Sequence, residues 1–460
     1  MRMLGPWIRD NPALPWGALF IALCLIVTQD GGTNAMSRWA AMRAITEGHT
    51  LSINNYRDWT VDWARAPGGD YYSNKAPGPV FLSLPLFALT EALALPLQTH
   101  QRDEHGRVPQ PAYWQHIAVL LFLQILPFFF LVLLCVRRLG ELGAGPAAQH
   151  FFALAAFFGN TAALYMNSHF GHGIASLLFL GALLSWLDRR LPLSGLLLSL
   201  SLLSDYGVAF ALPFFLAATI WRERGLKGAF TIGIGALPTA VIWIWYHWSV
   251  FGSPFATANQ FTNPTQNVEL EGHMSLWGQY APLPSLVILG RLLFGPERGV
   301  LFTQPWLFGV VALPFLRGGP RGLALLAAGS LAGLFWMNGG FGGWQGGLCV
   351  GPRYPSVVYP ATALAIASSW NLLAPWLRGA LWAALSVALA FRALIFPFSN
   401  LVPSENLWAY HWRLASGGED TGTTALRFTL LIFLSGLAAW WLKQRGGLRG
   451  NGISISGKAV

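Results

Sequence analysis

Twelve apolar runs leave this chain little choice of solvent. They lie near residues 14–29, 115–136, 147–166, 172–187, 191–204, 206–221, 229–248, 299–316, 321–337, 354–372, 379–396 and 425–443. About 20 apolar residues cross the hydrocarbon of a bilayer as a helix, and several of these runs are shorter, so their ends are soft. Charged residues make up only 10% of the 460, against about 25% in ordinary soluble domains. Mean hydropathy is +0.47. The 22 tryptophans suit membrane–water interfaces. The expectation is an all-α polytopic membrane protein of about 12 transmembrane helices, with residues 1–460 forming a single integral membrane domain.

The first run follows Arg2, Arg9 and Asp10 and has the look of a signal peptide. No clean small-x-small cleavage site follows, and it reads as an uncleaved first span. The three cysteines, Cys24, Cys135 and Cys349, have spacings that suit neither a zinc site nor a disulfide framework, and read as free thiols. The net charge of +10 would suggest nucleic acid in a soluble protein. Here no basic stripe is interleaved with aromatics and no nucleic-acid motif is present.

Topology explains the charge instead. With the N-terminus inside, the cytoplasmic pieces hold 16 basic residues against four acidic ones, and the rest of the chain holds 13 against 15. That asymmetry is what the positive-inside rule demands. It holds only if the run 79–94 is not a full span. This segment, with Pro77, Pro79, Pro85 and Pro96 in and around it, is expected to be re-entrant or interfacial. The first extracytoplasmic loop then covers 30–114, and a second large one covers 249–298.

Almost no charge lies mid-run; Glu91 and Arg291 sit in the weakest segments. Charges at a bilayer centre cost at least ~2.5–3.5 kcal/mol and mark ion or proton paths. Unusual polar residues gather instead at the outer mouths of the runs. In "GGDYYSNKAPGPVF", Lys75 follows Tyr71, Tyr72, Ser73 and Asn74 and precedes a Pro-Gly-Pro turn. It is either a snorkelling anchor or a cation aimed at a phosphate at headgroup depth. Asp58 and Asp62 stand i, i+4 apart and would share a face on a helix, as surface ion-pair partners or as a base. Asp30, before two glycines, is the rival base or a turn residue.

Other mouths carry further candidates. "SRWAAMRAITEGHTLSI" reads as an amphipathic interfacial helix, with Arg38 as anchor or phosphate ligand. His169 and His172 in "NSHFGHG" suit hydrogen bonding better than metal, having no carboxylate adjacent in sequence. Asp205-Tyr206 lies at a turn between two short runs, for a salt bridge or a substrate hydroxyl. In "GGFGGWQGGLCVGPRYPSVVYP", Trp344 offers a face of the kind sugars stack on, and the planar fork of Arg353 suits a phosphate. Arg298 in "GPERG" repeats that placement.

These segments resemble a known family. "SRWAAMRAITEGHTLSI", "TVDWA" and "GGDYYSNKAPG" are similar to the first outer loop of bacterial membrane glycosyltransferases of the GT-C type, relatives of protein O-mannosyltransferases and of the aminoarabinose transferase of lipid A. "GNTAALYMNSHFGHGIAS", "LSDYGVAFALP", "WSVFGSPF", "FGPERGVLFTQPWL" and "GGWQGGLCVGPRYPSVVYP" follow in the same order, so the likeness runs over roughly 30–360. It implies a GT-C-like fold with a helical first outer loop, and transfer of a hexose or pentose from a polyprenyl-phosphate donor. The acceptor would be a lipid or glycan at the outer face of the bacterial cytoplasmic (inner) membrane. Carried over, Asp62 is the loop's acidic residue and base, Lys75 the phosphate lysine and Arg353 a second phosphate contact. Two departures stand out: Asn74 precedes Lys75 where the branch has Asp, and Asp205 precedes Tyr206 where it has Glu. The first leaves open whether Asp62 or Asp30 is the base. No cofactor is called for, a divalent metal is left open, and membrane lipids are the remaining partner. Inversion by a single displacement follows if one base suffices. A lipid-linked-sugar flippase or a glycan polymerase or ligase are the rival readings.

Overall fold

The computed structural model describes residues 10–26, 32–93, 113–263, 283–316, 321–347 and 349–395. Asp30 and the run 425–443 lie outside them. Helices dominate, as the Leu-, Ala- and Phe-rich runs demand. α1 (Leu14–Ile26) and α2 (Gly32–Gly48) come first, followed by a 3₁₀ turn (Asn54–Trp59) and a hairpin of β1 (Trp63–Arg65) and β2 (Tyr71–Ser73). α3 (Gly78–Ala92) and α4 (Tyr113–Leu120) follow. α4 passes through one π-helical turn (Leu121–Ile125) into α5 (Leu126–Glu141). Next are α6 (Pro146–Phe157), the short α7 (Ala162–Tyr165), α8 (Gly171–Leu187), α9 (Leu191–Ser204), α10 (Leu212–Glu223) and α11 (Leu226–Phe251). α12 (Leu286–Phe294), α13 (Val300–Thr303), α14 (Arg321–Gly340), α15 (Tyr359–Ser368) and α16 (Pro375–Ile395) complete the order.

Among the described residues, three stretches are long and apolar enough to cross a membrane: Gln115–Glu141, Leu226–Phe251 and Arg321–Gly340. α11 turns most of that surface outward, with Phe230, Val241 and Trp248 exposed. Its inner side meets α9 so closely that neither contact residue can carry a side chain. A Cβ on Gly195 would stand 2.0 Å from the Ile232 carbonyl oxygen, and one on Gly235 would stand 1.9 Å from that of Pro192. Small residues at such crossings are how helices pack when lipid tails remove the hydrophobic incentive. The core beneath is aromatic: Phe20 stacks on Phe157 at 5.2 Å, and Phe151 lies 4.9 Å from Trp370. Cys24, Cys135 and Cys349 are buried free thiols.

Several runs read as single spans are broken. Over 147–166, α6 stops at Phe157 because Asn160 Nδ2 donates to the Ala155 and Ala156 carbonyls, which a continuing helix would use. Over 206–221, a 3₁₀ turn (Tyr206–Phe210) precedes α10, set by Asp205 accepting from the Gly207 amide. Over 299–316, Gln304–Pro305 separates α13 from a 3₁₀ stretch, Pro305–Phe315. Over 354–372, 3₁₀ turns (Tyr354–Val358 and Trp370–Leu372) flank α15.

The segment expected to form the first outer loop also departs from expectation. It contains a hairpin as well as helices, and the Asn263 amide donates to the Trp63 carbonyl at 3.0 Å, joining the second large loop to β1. α2 is no surface-lying amphipath: residues 35–44 are buried on every side. Its Arg43 pairs with Glu47 and with Glu91 of α3, which accounts for the charge in that apolar run. α3 has 15 residues, about 22 Å at 1.5 Å per residue, short of the ~30 Å hydrocarbon.

A Leu at Gly195 or Gly235 would drive side-chain atoms into the facing backbone. Each variant is expected to lose about 1–3 kcal/mol, read as a lowered thermal midpoint in detergent, whereas Leu at the open Gly233 costs far less.

Candidate active site

The hairpin is stapled to α2 by hydroxyls. Ser37 Oγ donates to the Asp62 carbonyl at 2.6 Å and shares a 2.6 Å hydrogen bond with Ser73 Oγ. Thr60 Oγ1 donates to the Thr33 carbonyl and accepts from the Asp62 amide. Asp62 is thereby fixed at the foot of β1, outside any helix, so it does not share a helical face with the exposed Asp58. Its Oδ2 accepts from Thr33 Oγ1 at 3.0 Å, and its Oδ1 lies 3.0 Å from Lys75 Nζ.

Lys75 stands just before α3, and the packing of that helix places it. A Cβ on Gly78 would meet Ser204 Oγ at 2.6 Å and the Leu203 carbonyl oxygen at 2.8 Å. One on Gly171 would meet the Ser204 carbonyl oxygen at 2.5 Å and Arg38 Nη2 at 2.9 Å. The N-terminal ends of α3 and α8, the C-terminal end of α9 and the Arg38 guanidinium therefore converge. The caps Pro77 and Phe170 give no side-chain hydrogen bond to either helix start.

Arg38 and Arg353 both act on Lys75. Burial and these two guanidiniums hold the ammonium below its ordinary pKa, against the pull of Asp62. Arg38 is itself pushed down to about 10, first by burial and then by Arg353, although Asp62 and Asp205 favour its charge. It donates to Asn34 and to the His169 carbonyl, and its Nε is buried without a hydrogen-bond partner. Arg353 donates to Cys349 Sγ at 3.1 Å and to the Tyr354 hydroxyl at 3.0 Å, with its Nε unpartnered as well.

His172, the first full turn of α8, hydrogen-bonds through Nδ1 to Asp205 Oδ2. A carboxylate can only accept, so Nδ1 carries the proton. Asp205 also accepts from Gly207 N–H at 2.9 Å. Burial works against the Asp205 charge, but His172, that amide and Arg353 together hold its pKa below the ordinary value.

Asp62, Lys75, Arg38, Arg353, His172 and Asp205 thus face one another, with Tyr206 and the His169 backbone also reaching Arg38. The other candidates have their main contacts elsewhere. The Tyr72 ring packs on Phe251 of α11, and the Tyr206 hydroxyl meets His247 Nε2 at 3.0 Å. The Trp344 ring is buried, with the Arg291 and Arg298 guanidiniums 4.7 and 5.7 Å from its centre. Arg298 donates to the Gln345 carbonyl. His169 bonds Ser83 at 2.8 Å and lies against Trp39. No group of His, Cys, Asp or Glu among the described residues has the makings of a metal site. Sequence reasoning missed Thr33 and Ser37, although they are spaced i, i+4 on α2 like two residues sharing a partner.

No family model and no curated protein matches the sequence. Solved structures do show likeness. ArnT from Cupriavidus metallidurans bound to undecaprenyl phosphate aligns over 94% of this chain and 72% of its own, at 14% identity and a TM-score of 0.49. The apo state of that protein aligns over 91% and 71%, at 14% identity and 0.47. The archaeal oligosaccharyltransferase AglB from Archaeoglobus fulgidus, in complex with an inhibitory peptide and a dolichol-phosphate, aligns over 92% of this chain at 11% identity and 0.46; this chain spans 60% of its length. ArnT is an aminoarabinose transferase, and both proteins are of the GT-C type that the sequence resembles. The likenesses are loose, and the functional assignment rests on this chain's own side chains.

Breaking a buried pair by removing one partner costs about 3–5 kcal/mol, whereas replacing both with apolar groups is near neutral. Asp62→Ala is expected to lower the unfolding free energy by about that amount, and Asp62→Leu with Lys75→Met to regain most of it. Thermal denaturation of the three proteins side by side reads the difference.

Proposed function

We propose that this chain is a glycosyltransferase that moves a sugar from a polyprenyl-phosphate donor to a lipid or glycan acceptor. The observation that carries the reading is the charge of the site: Arg38, Lys75 and Arg353 against Asp62 and Asp205. A partly buried excess of cations is unstable by itself and calls for an anion. Two helix N-termini without side-chain caps add the positive ends of their dipoles. A phosphate answers both, and its leaving charge in sugar transfer is what such an array would stabilise. Lys75 would turn from Asp62 to the incoming phosphate. Asp62 would then be its former counter-ion, free to take the acceptor's proton only after that exchange.

The proposal includes twelve spans and a site at the outer face of the cytoplasmic membrane. The exposed Asp58 then lies outside and Arg137 inside. Asp58→Cys is expected to react with a membrane-impermeant maleimide added to intact cells, and Arg137→Cys only after lysis. The reverse pattern would sink the topology. The native thiols are buried and give little background.

Lys75→Ala and Arg353→Ala are each expected to reduce transfer from undecaprenyl-phosphate sugars by roughly 10²–10³-fold while eluting as folded protein from size exclusion. Wild-type rates in either would remove the assigned role. The lysine also sets a pH dependence. Its folded pKa lies below the ordinary 10.5, so undecaprenyl-phosphate affinity falls as pH rises through that lowered value. Lys75→Arg keeps its affinity over the same range.

A further inference from the structure

Two proton acceptors face the cations, and the protein holds them differently. Asp62 has both oxygens engaged, Oδ1 by Lys75 Nζ and Oδ2 by Thr33 Oγ1, each at 3.0 Å. A carboxylate that neutralises an adjacent ammonium is a weakened base. His172 has only Nδ1 engaged, and its Nε2 makes no hydrogen bond to any described residue. The ring is fixed on three sides: Phe170 stacks on it at 6.4 Å, and Tyr165 and Tyr354 meet it edgewise at 5.3 and 5.5 Å.

Asp205, Arg353, Arg38, Tyr165 and Tyr354 are the charged and titratable groups around this imidazole. With Nδ1 donating to Asp205, the neutral ring presents a lone pair on Nε2. Asp205 fixes the tautomer and would stabilise the imidazolium formed when that lone pair takes a proton. A carboxylate, an imidazole and an open nitrogen in this order form the orienter–base arrangement used wherever a hydroxyl must be activated.

We propose that His172, oriented by Asp205, is the base of the transfer and that Asp62 serves as the resting counter-ion of Lys75. The inference rests on the glycosyl-transfer reading above. The acceptor O–H loses its proton to Nε2, and the oxygen's electron pair forms the bond to the anomeric carbon. The bond from that carbon to the phosphate oxygen breaks, and its pair leaves on the phosphate beside Lys75, Arg38 and Arg353. The imidazolium, paired with Asp205, afterwards returns its proton to water.

The test uses the full chain in nanodiscs, with two readouts. Binding is measured with undecaprenyl phosphate. Transfer is measured from undecaprenyl phosphates carrying radiolabelled hexoses and pentoses to an envelope-lipid extract. His172→Gln is expected to keep undecaprenyl-phosphate affinity, which also certifies its fold, and to lose roughly 10²–10⁴-fold in kcat. Its residual rate should be independent of pH where the wild type shows an acid limb. Asp205→Asn, which disturbs the tautomer without removing the imidazole, should lose kcat in the same direction with affinity again retained. A His172→Gln protein with wild-type kcat and an unchanged acid limb overturns the proposal, most sharply if Asp62→Asn binds undecaprenyl phosphate normally and transfers nothing. That outcome leaves the glycosyl-transfer reading standing. A wild type that neither binds undecaprenyl phosphate nor transfers any of the sugars overturns that reading, and the role of His172 falls with it.

Discussion

The Asp62–Lys75 pair is the constraint on which the site's architecture turns. Placing an ammonium at the lip of an apolar segment is costly unless something holds its charge. Here the holder is an aspartate 13 positions earlier, brought back by a hairpin three residues wide on each strand. The hairpin in turn depends on Ser37, Ser73, Thr33 and Thr60, whose hydroxyls fix it to α2. Once the lysine is placed, the rest follows from packing. α3 starts three residues later and leans on the end of α9, whose next residue is Asp205. Lys75 is held at the start of α3 by Asp62, its resting partner at 3.0 Å.

On the proposed reading, burying Arg38 and Arg353 near that pair preorganises the site for a phosphate. Two guanidiniums with an Nε each left unpartnered are poor for stability and good for an anion, which would meet them without any reorganisation of the protein. The contrast with the Arg291–Arg298–Trp344 group is instructive. There, too, guanidiniums gather at the end of a helix, but they lie over a buried ring, and Arg291 has Glu297 at 2.7 Å. That group has an excess cation as well, and Arg298 Nε is also unpartnered; what sets the Lys75 group apart is the pair of helix starts that converge beside it.

Much of this was legible in the sequence, for identifiable reasons. The apolar runs named the helices, and the placement of polar residues at their mouths named the end of the molecule to examine. Lys75 was legible as a cation at the lip of an apolar run. Three things were not. Asp62 and Asp58 look like a helical pair by spacing, yet Thr60 is already extended, and no local rule shows that. Trp344 looks like an open face because glycines surround it, but its coverage comes from α12 and the 295–299 turn, far away in sequence. The His172–Asp205 pair joins residues 33 apart. A signal for it existed: α8 and α9 are antiparallel helices of similar length joined by the short turn 188–190, so the start of one must meet the end of the other.

Broken helices tie the fold to the chemistry. Inside a bilayer, each unsatisfied backbone group costs several kcal/mol, and irregular backbone is tolerated only where protein or water surrounds it. Among the described residues, breaks fall at 158–170, 205–211 and 349–358, and also at 304–315 and 370–372. The first three carry or adjoin His172, Asp205 and Arg353. Unbroken helices through the same positions would bury those side chains among neighbouring turns and spend their terminal amides on intrahelical bonds. Interrupting the helices lets the His172, Asp205 and Arg353 side chains act on one another, with Arg38 of α2 joining them and the hairpin tied to α2 by hydroxyls. The departure from twelve uniform spans is thus what allows a polar site to exist at the end of an apolar bundle.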